Sequence, residues 1–153
     1  MSNYQLSQPK ADDKEDWQTL FKAYADFYKT QIEQDAIDRV WAWLQDPDHQ
    51  FEGLLVRNES KRVIGFVHFR ACPRSLSGGE IGFVDDLFIA PDVRGSGAAD
   101  AVIAELQSIA LQRGWSFLRW ITQHFNERGR GFYDKYTSGP SDFIVYQLST
   151  APK

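Results

Sequence analysis

Apolar residues recur at helical spacing in the first third of the chain and at strand spacing in the middle. From Asp13, the residues Trp17, Leu20, Phe21, Tyr24, Phe27 and Tyr28 return at three- and four-residue steps, the signature of one helical face. A second helix is predicted from about Asp35, with Ile37, Val40, Trp41 and Leu44 on one stripe. Asp46-Pro47-Asp48 ends it, because proline cannot continue a helix. Ahead of both, Tyr4 to Ser7 has room for a short strand.

The period then shortens. Phe51 to Arg57 and Arg62 to Arg70 read as two strands joined by the turn Asn58-Glu59-Ser60-Lys61, an antiparallel hairpin. In the second, Val63, Val67 and Phe69 should share one face and Ile64 and Phe66 the other. Apolar residues on both faces imply a strand covered on both sides. Pro73 to Gly79 reads as loop, and Glu80 to Ile89 as a strand stopped by Pro91. A helix follows with Val102, Leu106, Ile109 and Ala110 inward and Gly114 as its terminal cap. Trp115 to Thr122 is a predicted strand, Asn126 to Tyr136 a short helix in poor helical sequence, and Phe143 to Leu148 a closing strand. Strands interleaved with helices give an α/β or α+β sandwich on a mixed sheet.

At 153 residues this is one domain by length, 1–153, large enough for a core without crosslinks. Aromatics make up 14% of the chain, which supplies packing mass and pocket walls. The net charge of −4 and a pI near 5.3, with no long basic run, argue against nucleic acid as a partner. Cys72 is the sole cysteine, so no internal disulfide and no cysteine-based metal site is expected. His49, His68 and His124 lack metal-ligand spacing, so no metal is expected either. Met1 to Lys10 carries no apolar leader core and no stretch suits a membrane helix, which makes the cytoplasm the expected location.

The chemistry concentrates in Asp86-Leu87-Phe88-Ile89-Ala90-Pro91-Asp92-Val93-Arg94-Gly95-Ser96-Gly97-Ala98-Ala99. A strand enters a turn of small residues, and a long helix leaves it. Such a turn lets a ligand approach the backbone closely, while first-turn amides and the positive end of the helix dipole favour phosphate. Arg94 would add charge. The Walker pattern is excluded because no lysine follows these glycines, and Asp100 stands where a dinucleotide fingerprint needs its third glycine. A plain strand-to-helix turn is the competing reading.

Arg94-Gly95-Ser96-Gly97-Ala98-Ala99 resembles the R-x-x-G-x-G/A pyrophosphate loop of the GNAT acetyltransferases. An apolar strand ending Leu87-Phe88-Ile89-Ala90-Pro91 precedes it, Asn126 follows the next strand, and Tyr133 comes seven positions later, all in the family's order. The resemblance covers roughly Gly82 to Leu148, and the two N-terminal helices fit the same plan. It implies a mixed central sheet with a splayed parallel pair of strands, here those around Leu87 and Trp120, and helices on both faces. It further implies acetyl-CoA as co-substrate: Leu87, Phe88 and Ile89 would bond its pantetheine arm, and the amides of Arg94, Gly95, Ser96, Gly97, Ala98 and Ala99 its pyrophosphate, with Asn126 and Tyr133 also on the cofactor side. A primary amine would attack the thioester directly.

That reaction needs a carboxylate near the incoming ammonium, donors for the carbonyl oxygen, and a proton for the departing thiolate. Tyr133 is the candidate acid, packing being the alternative. Asp85 and Asp86 are the candidate catalytic and acceptor-binding carboxylates. Neighbours on a strand point to opposite faces, so one of the two should have to be accommodated inside. The Asp-Leu-Phe-Ile run is most similar to the polyamine and small-amine members of the family, as are Tyr24, Phe27 and Tyr28 as an acceptor-side wall, although an aromatic stripe serves a plain core equally well.

Cys72 is expected as a small buried hydrophobe, His124 as a secondary proton acceptor at most, and Arg128 and Arg130 as surface charge or phosphate contacts. Three positions depart from the family pattern: Gly129 and Gly131 inside a helix, each costing about 1 kcal/mol against alanine; Thr137 where the family carries glycine after its Tyr-x-x-x; and Ala98 in place of a larger apolar residue. The chemistry points to a small cationic amine, a polyamine or amino acid, as acceptor. A protein or peptide amine, and a non-catalytic acyl-CoA-binding module, are the alternatives. A homodimer is expected by analogy, with the closing strand as a candidate edge.

Overall fold

One sheet holds five strands in the order β1 (Gln5–Ser7), β2 (Phe51–Arg57), β3 (Val63–Arg74), β4 (Gly79–Ile89) and β5 (Leu118–Arg119). The first four pair antiparallel; β4 and β5 run parallel. Helices α1 (Lys14–Phe27) and α2 (Gln34–Gln45) precede the β2–β3 hairpin, α3 (Ala98–Arg113) follows β4, and α4 (Glu127–Asp134) follows β5. The computed structural model describes residues 3–151. The chain forms two compact units, Met1–Trp120 and Ile121–Lys153.

In the first unit the sheet is sandwiched between two apolar clusters. Trp17, Leu20 and Phe21 of α1 and Ile37 and Trp41 of α2 pack on Leu55, Val63, Phe66 and Phe88. Ala98, Val102, Leu106 and Ala110 of α3 pack on Leu54, Val56, Ile64, Val67, Phe69, Val84 and Ile89. Each fully buried Leu, Ile or Phe contributes about 1.5–3 kcal/mol, so the two-sided burial of β3 anchors the fold. Asp13 ties the entry of α1 to β2: it accepts from the Arg57 guanidinium at 2.6 Å and from the Lys10 amide at 2.8 Å.

The helices and the β2–β3 hairpin match the sequence reading, while the details of the strands differ for local reasons. Val63 packs with Phe66 and Ile64 with Val67 and Phe69, the reverse of the expected grouping. The pairing jumps from Val56↔Gly65 to Arg57↔Val63, so Ile64 is an inserted residue whose bulge swaps the faces. The expected loop Pro73 to Gly79 shortens to a turn over 75–78, since Pro73 pairs with Glu80 and Arg74 with Gly79 at the hairpin's end. Trp115 does not begin a strand: its amide donates to the Ala110 carbonyl at 2.9 Å and completes the end of α3, where Gly114 takes φ 75°. Only Leu118 and Arg119 pair with β4. Cys72 is partly exposed on β3 rather than buried.

In the second unit, Phe143 to Leu148 forms no strand. Ile144, Val145, Tyr146 and Leu148 are 67–88% exposed, and no residue from Ile121 to Ala151 is buried. An apolar alternation alone does not form a strand, because a strand exists only through a ladder partner. Among the described residues no helix is long and apolar enough to cross a membrane, and no three His, Cys, Asp or Glu side chains group as a metal site.

Candidate active site

The turn between β4 and α3 is built as a cradle. A short 3₁₀ turn, Pro91–Val93, leads to an extended Arg94, and the backbone turns left-handed at Gly95 (φ 81°) and Gly97 (φ 93°) before α3 starts at Ala98. A Cβ at either glycine would meet nothing within 4 Å, so the space beside both is open. Gly97 sits at the cap position and has no side chain to bond the helix's first amides. Tyr4, just ahead of β1, braces the turn, its hydroxyl donating to the Ser96 carbonyl at 2.8 Å. Arg94 bends back instead of outward: Nε donates to the Ile89 carbonyl at 3.0 Å, and the guanidinium lies over Phe27 and Phe88 at 5.3 and 5.2 Å. Open space, left-handed glycines and a helix start whose cap residue carries no side chain suit a pyrophosphate.

Beside the cradle the sheet splays. β4 and β5 pair only at Gly82↔Leu118 and Phe83↔Arg119, after which β4 runs on to Ile89 with β3 alone. Leu87, Phe88 and Ile89 pair with Val67, Phe66 and Gly65 on that one side. The other edge of this stretch is where an extended, amide-bearing arm such as pantetheine would pair.

Both carboxylates reach one face of the sheet, against the expectation that they diverge. β4 pairs His68↔Asp86 and then Phe69↔Val84, leaving Asp85 as an inserted residue. The bulge turns Asp85 to the same side as Asp86. Asp86 Oδ2 meets His68 Nδ1 at 2.8 Å, and Asp85 meets Arg70 Nε at 3.1 Å, His68 and Arg70 being two apart on β3. Burial pushes the Asp85 carboxyl above its ordinary range; the Arg70 hydrogen bond and charge pull it back, and the Asp86 charge pushes it up again. Arg70 is held in turn over the Phe83 ring at 4.8 Å.

Helix α1 brings its aromatics to this face. Tyr24 packs edge-on against Phe66, Phe88 and Tyr28. Burial and then the nearby Asp86 charge raise the Tyr28 hydroxyl above its ordinary value, which places Tyr28 within electrostatic reach of that carboxylate. Phe27 is half exposed under the Arg94 guanidinium. Of the predicted residues in the first unit, Tyr24, Tyr28, Asp85 and Asp86 thus converge, while Phe27 belongs with the turn.

In the second unit, Asn126 caps α4. Its Oδ1 accepts from the Gly129 amide at 3.2 Å, and its Nδ2 donates to Thr122 Oγ1 at 3.0 Å. Gly129 is therefore required, since a Cβ there would collide with the Asn126 side chain, its Cγ 2.9 Å away. Nothing lies within 4 Å of a Cβ at Gly131. Tyr133 lies partly buried on α4 with its ring against Phe132. Arg130 donates to the His124 carbonyl at 2.8 Å, which ties it locally.

Sequence reasoning passed over His68, Trp17 and Arg70 as site residues. The signal was present for the first: a histidine between Val67 and Phe69 in a strand buried on both faces needs a partner.

A family model described as "Acetyltransferase (GNAT) family" matches residues 17–137. The D-amino-acid N-acetyltransferase HPA3 of Saccharomyces cerevisiae is 28% identical over 136 residues, 88% of this chain and 84% of the yeast protein. The crystal structure of a ribosomal-protein-alanine N-acetyltransferase from Brucella melitensis biovar Abortus 2308 aligns with TM-score 0.79 at 26% identity, over 97% of this chain and 99% of that one. AAC(6')-Iy, solved with the bisubstrate analogue CoA-S-monomethyl-acetylneamine, has the same fold, with TM-score 0.81 at 16% identity over 98% of this chain and 100% of that one. A non-catalytic acyl-CoA-binding module is accordingly set aside. The chain belongs to the GNAT acetyltransferase family and is an acetyl-CoA-dependent N-acetyltransferase.

Proposed function

We propose that the acceptor is a small cationic amine, an amino acid or a polyamine, bound through its ammonium by Asp86 and Asp85 beside Tyr28 and Tyr24. The observation that carries this reading is the bulge at Asp85, which turns two carboxylates to one face of the sheet at the point where β5 stops pairing. Two negative groups a short distance from an open strand edge attract an ammonium and hold it beside the thioester. The yeast relative, named for D-amino acids, supports an amino-acid acceptor.

On the co-substrate side, the amides of Arg94 to Ala99 hold the pyrophosphate and the backbone of Leu87 to Ile89 the pantetheine arm. Acetyl-CoA supplies an activated acyl group when bound. Asn126 organises the start of α4, and Tyr133 on that helix is the acid that returns a proton to the leaving thiolate. Tyr133→Phe should lower kcat while leaving CoA affinity near normal; an undiminished kcat removes Tyr133 from the reaction.

A second acceptor class, the amine of a protein or peptide, is favoured by the Brucella structure, named for a ribosomal protein. Purified protein with acetyl-CoA and a panel of amino acids of both hands, polyamines and basic peptides, followed by thiol release, separates the two. Turnover confined to free small amines supports the first reading; turnover confined to peptides overturns it.

The chain also works as a homodimer in this proposal. The support is the exposed apolar segment from Ile144 to Leu148, which has strand alternation and an area of side chain that a second copy would cover. A monomer by sedimentation at micromolar concentration refutes it.

A further inference from the structure

His68 is 1% exposed and, with Asp13, is one of two buried polar side chains among the described residues. An imidazole buried to that degree must satisfy both ring nitrogens. Trp17 Nε1 stands 3.0 Å from His68 Nε2, and an indole N–H only donates. Nε2 is therefore the acceptor, the ring proton sits on Nδ1, and that N–H donates to Asp86 Oδ2 at 2.8 Å. The hydrogen bonds run in one direction, from helix α1 through β3 to the carboxylate on β4.

The ring has no room to leave this arrangement. Phe66 lies 4.6 Å away, Phe51 5.0 Å and Phe21 5.4 Å, centroid to centroid. Across the ladder stands Gly53, where a Cβ would come within 3.2 Å of His68 Cδ2. Asp86 is part exposed, its side chain at 21%, and its Oδ1 takes no hydrogen bond among the described residues. One oxygen is thus tethered from behind and the other is left for a ligand. Also on this face are Asp85 and Arg70 from β4 and β3, Tyr24 of α1, Tyr28 at the end of that helix, and the Arg94 guanidinium over Phe88.

We propose that His68, locked in the Nδ1–H form by Trp17, is the positioning residue that fixes the Asp86 carboxylate so that Oδ1 receives the acceptor ammonium. The proposal rests on the reading above that Asp86 binds the amine. A tethered carboxylate presents its open oxygen in one orientation, so less rotational freedom is lost when the amine binds and the nitrogen is aimed at the thioester.

Two measurements test it. Long-range nitrogen–proton NMR correlations of the imidazole should show the proton on Nδ1; a proton on Nε2 overturns the proposal regardless of any activity. In kinetics, His68→Leu keeps the volume and removes the donor. It should lower kcat/KM for the amine by about ten- to hundredfold, by analogy with the loss of the hydrogen-bond partner behind a metal ligand, with KM for acetyl-CoA unchanged. His68→Asn, whose amide can still donate toward Asp86, should recover most of that loss, and Trp17→Phe should give an intermediate one. In the double variant with Asp86→Asn, removing His68 should cost little more than Asp86→Asn alone. Fully additive losses, or equal damage to acetyl-CoA kinetics, mark His68 as merely structural and overturn the proposal. If Asp86→Asn itself leaves every amine unaffected, the acceptor reading fails instead, and the NMR result still reports on the tether. Should His68→Leu not fold, Trp17→Phe and the NMR assignment decide the question.

Discussion

Gly97 offers the sharpest test of the pyrophosphate cradle, because two separable costs meet at one residue. Its φ of 93° lies in the left-handed region, and the added Cβ of Gly97→Ala would meet nothing within 4 Å. In the free protein the substitution therefore costs only backbone strain, roughly 1–2 kcal/mol for an L-residue in that conformation. Urea unfolding should show a loss of about that size. Binding adds a second cost, because the methyl projects into the space that a phosphate would fill. If the loop relaxes in the free protein and must regain its shape on binding, the strain alone weakens CoA by roughly 5- to 30-fold. Gly97→Asn separates the two. Asparagine tolerates positive φ better than alanine, yet its side chain is larger. Clearance for the ligand predicts that Asn weakens CoA more than Ala while destabilising the fold less; strain alone predicts the same order in both measurements. Calorimetric titration with CoA, beside the amine KM at saturating acetyl-CoA, reads this directly. Wild-type CoA affinity in Gly97→Ala would refute the assignment of this turn to the pyrophosphate.

Three further outcomes are expected. Gly131→Ala should raise the hydrogen-exchange protection of α4 by about 0.5–1 kcal/mol, whereas Gly129→Ala should lower it by breaking the Asn126 cap; equal responses refute the distinction. Burial works to raise the Asp13 carboxyl, but bonds from the Lys10 amide and Arg57 outweigh it and hold the group below its ordinary 3.8. A depressed carboxyl stabilises above its unfolded value and loses that contribution as pH falls, so Asp13→Ala should cost about 1.5–3 kcal/mol at neutral pH and progressively less below pH 3.8 by urea titration. Arg70→Gln removes the partner that draws the raised Asp85 carboxyl back down, so Asp85 should hold its proton to higher pH and the acid limb of amine kcat/KM should move upward; an unmoved limb excludes Asp85 ionisation from acceptor binding.

Much of this molecule was legible because hydrophobic period reports burial, and burial is what holds these elements. The stripes of α1 and α2, the two-sided β3 and the Gly114 stop of α3 all follow from side-chain size and polarity within a few residues of one another. The cradle was legible for another reason: left-handed backbone at Gly95 and Gly97 demands residues without a Cβ, so the conformation leaves its mark as composition. What escaped depends on partners distant in sequence. Trp115 looked like a strand residue until its amide was needed to finish α3. Gly129 looked like a helix defect until the Asn126 side chain occupied the place of its Cβ.

The largest departures share one cause, and it bears on function. Alternation assigns faces by parity, and a bulge breaks parity without any signature in residue type. The insertion at Ile64 only exchanges two apolar neighbours, since both faces of β3 are covered and either residue suits either side. The insertion at Asp85 has no such neutrality. With regular pairing, one carboxylate would be driven toward the α3 side among Val67, Phe69 and Leu106, where an ionised group without partners is costly. With the bulge, both turn to the face where His68 and Arg70 wait two residues apart on β3. The adjacent pair Asp85-Asp86 is thus tolerable only in an irregular strand. Removing one carboxylate by Asp85→Val should relax the need for the bulge, and a shifted β3–β4 register in the amide NMR pattern would show that the carboxylates, and not the surrounding core, hold the strand out of regular pairing.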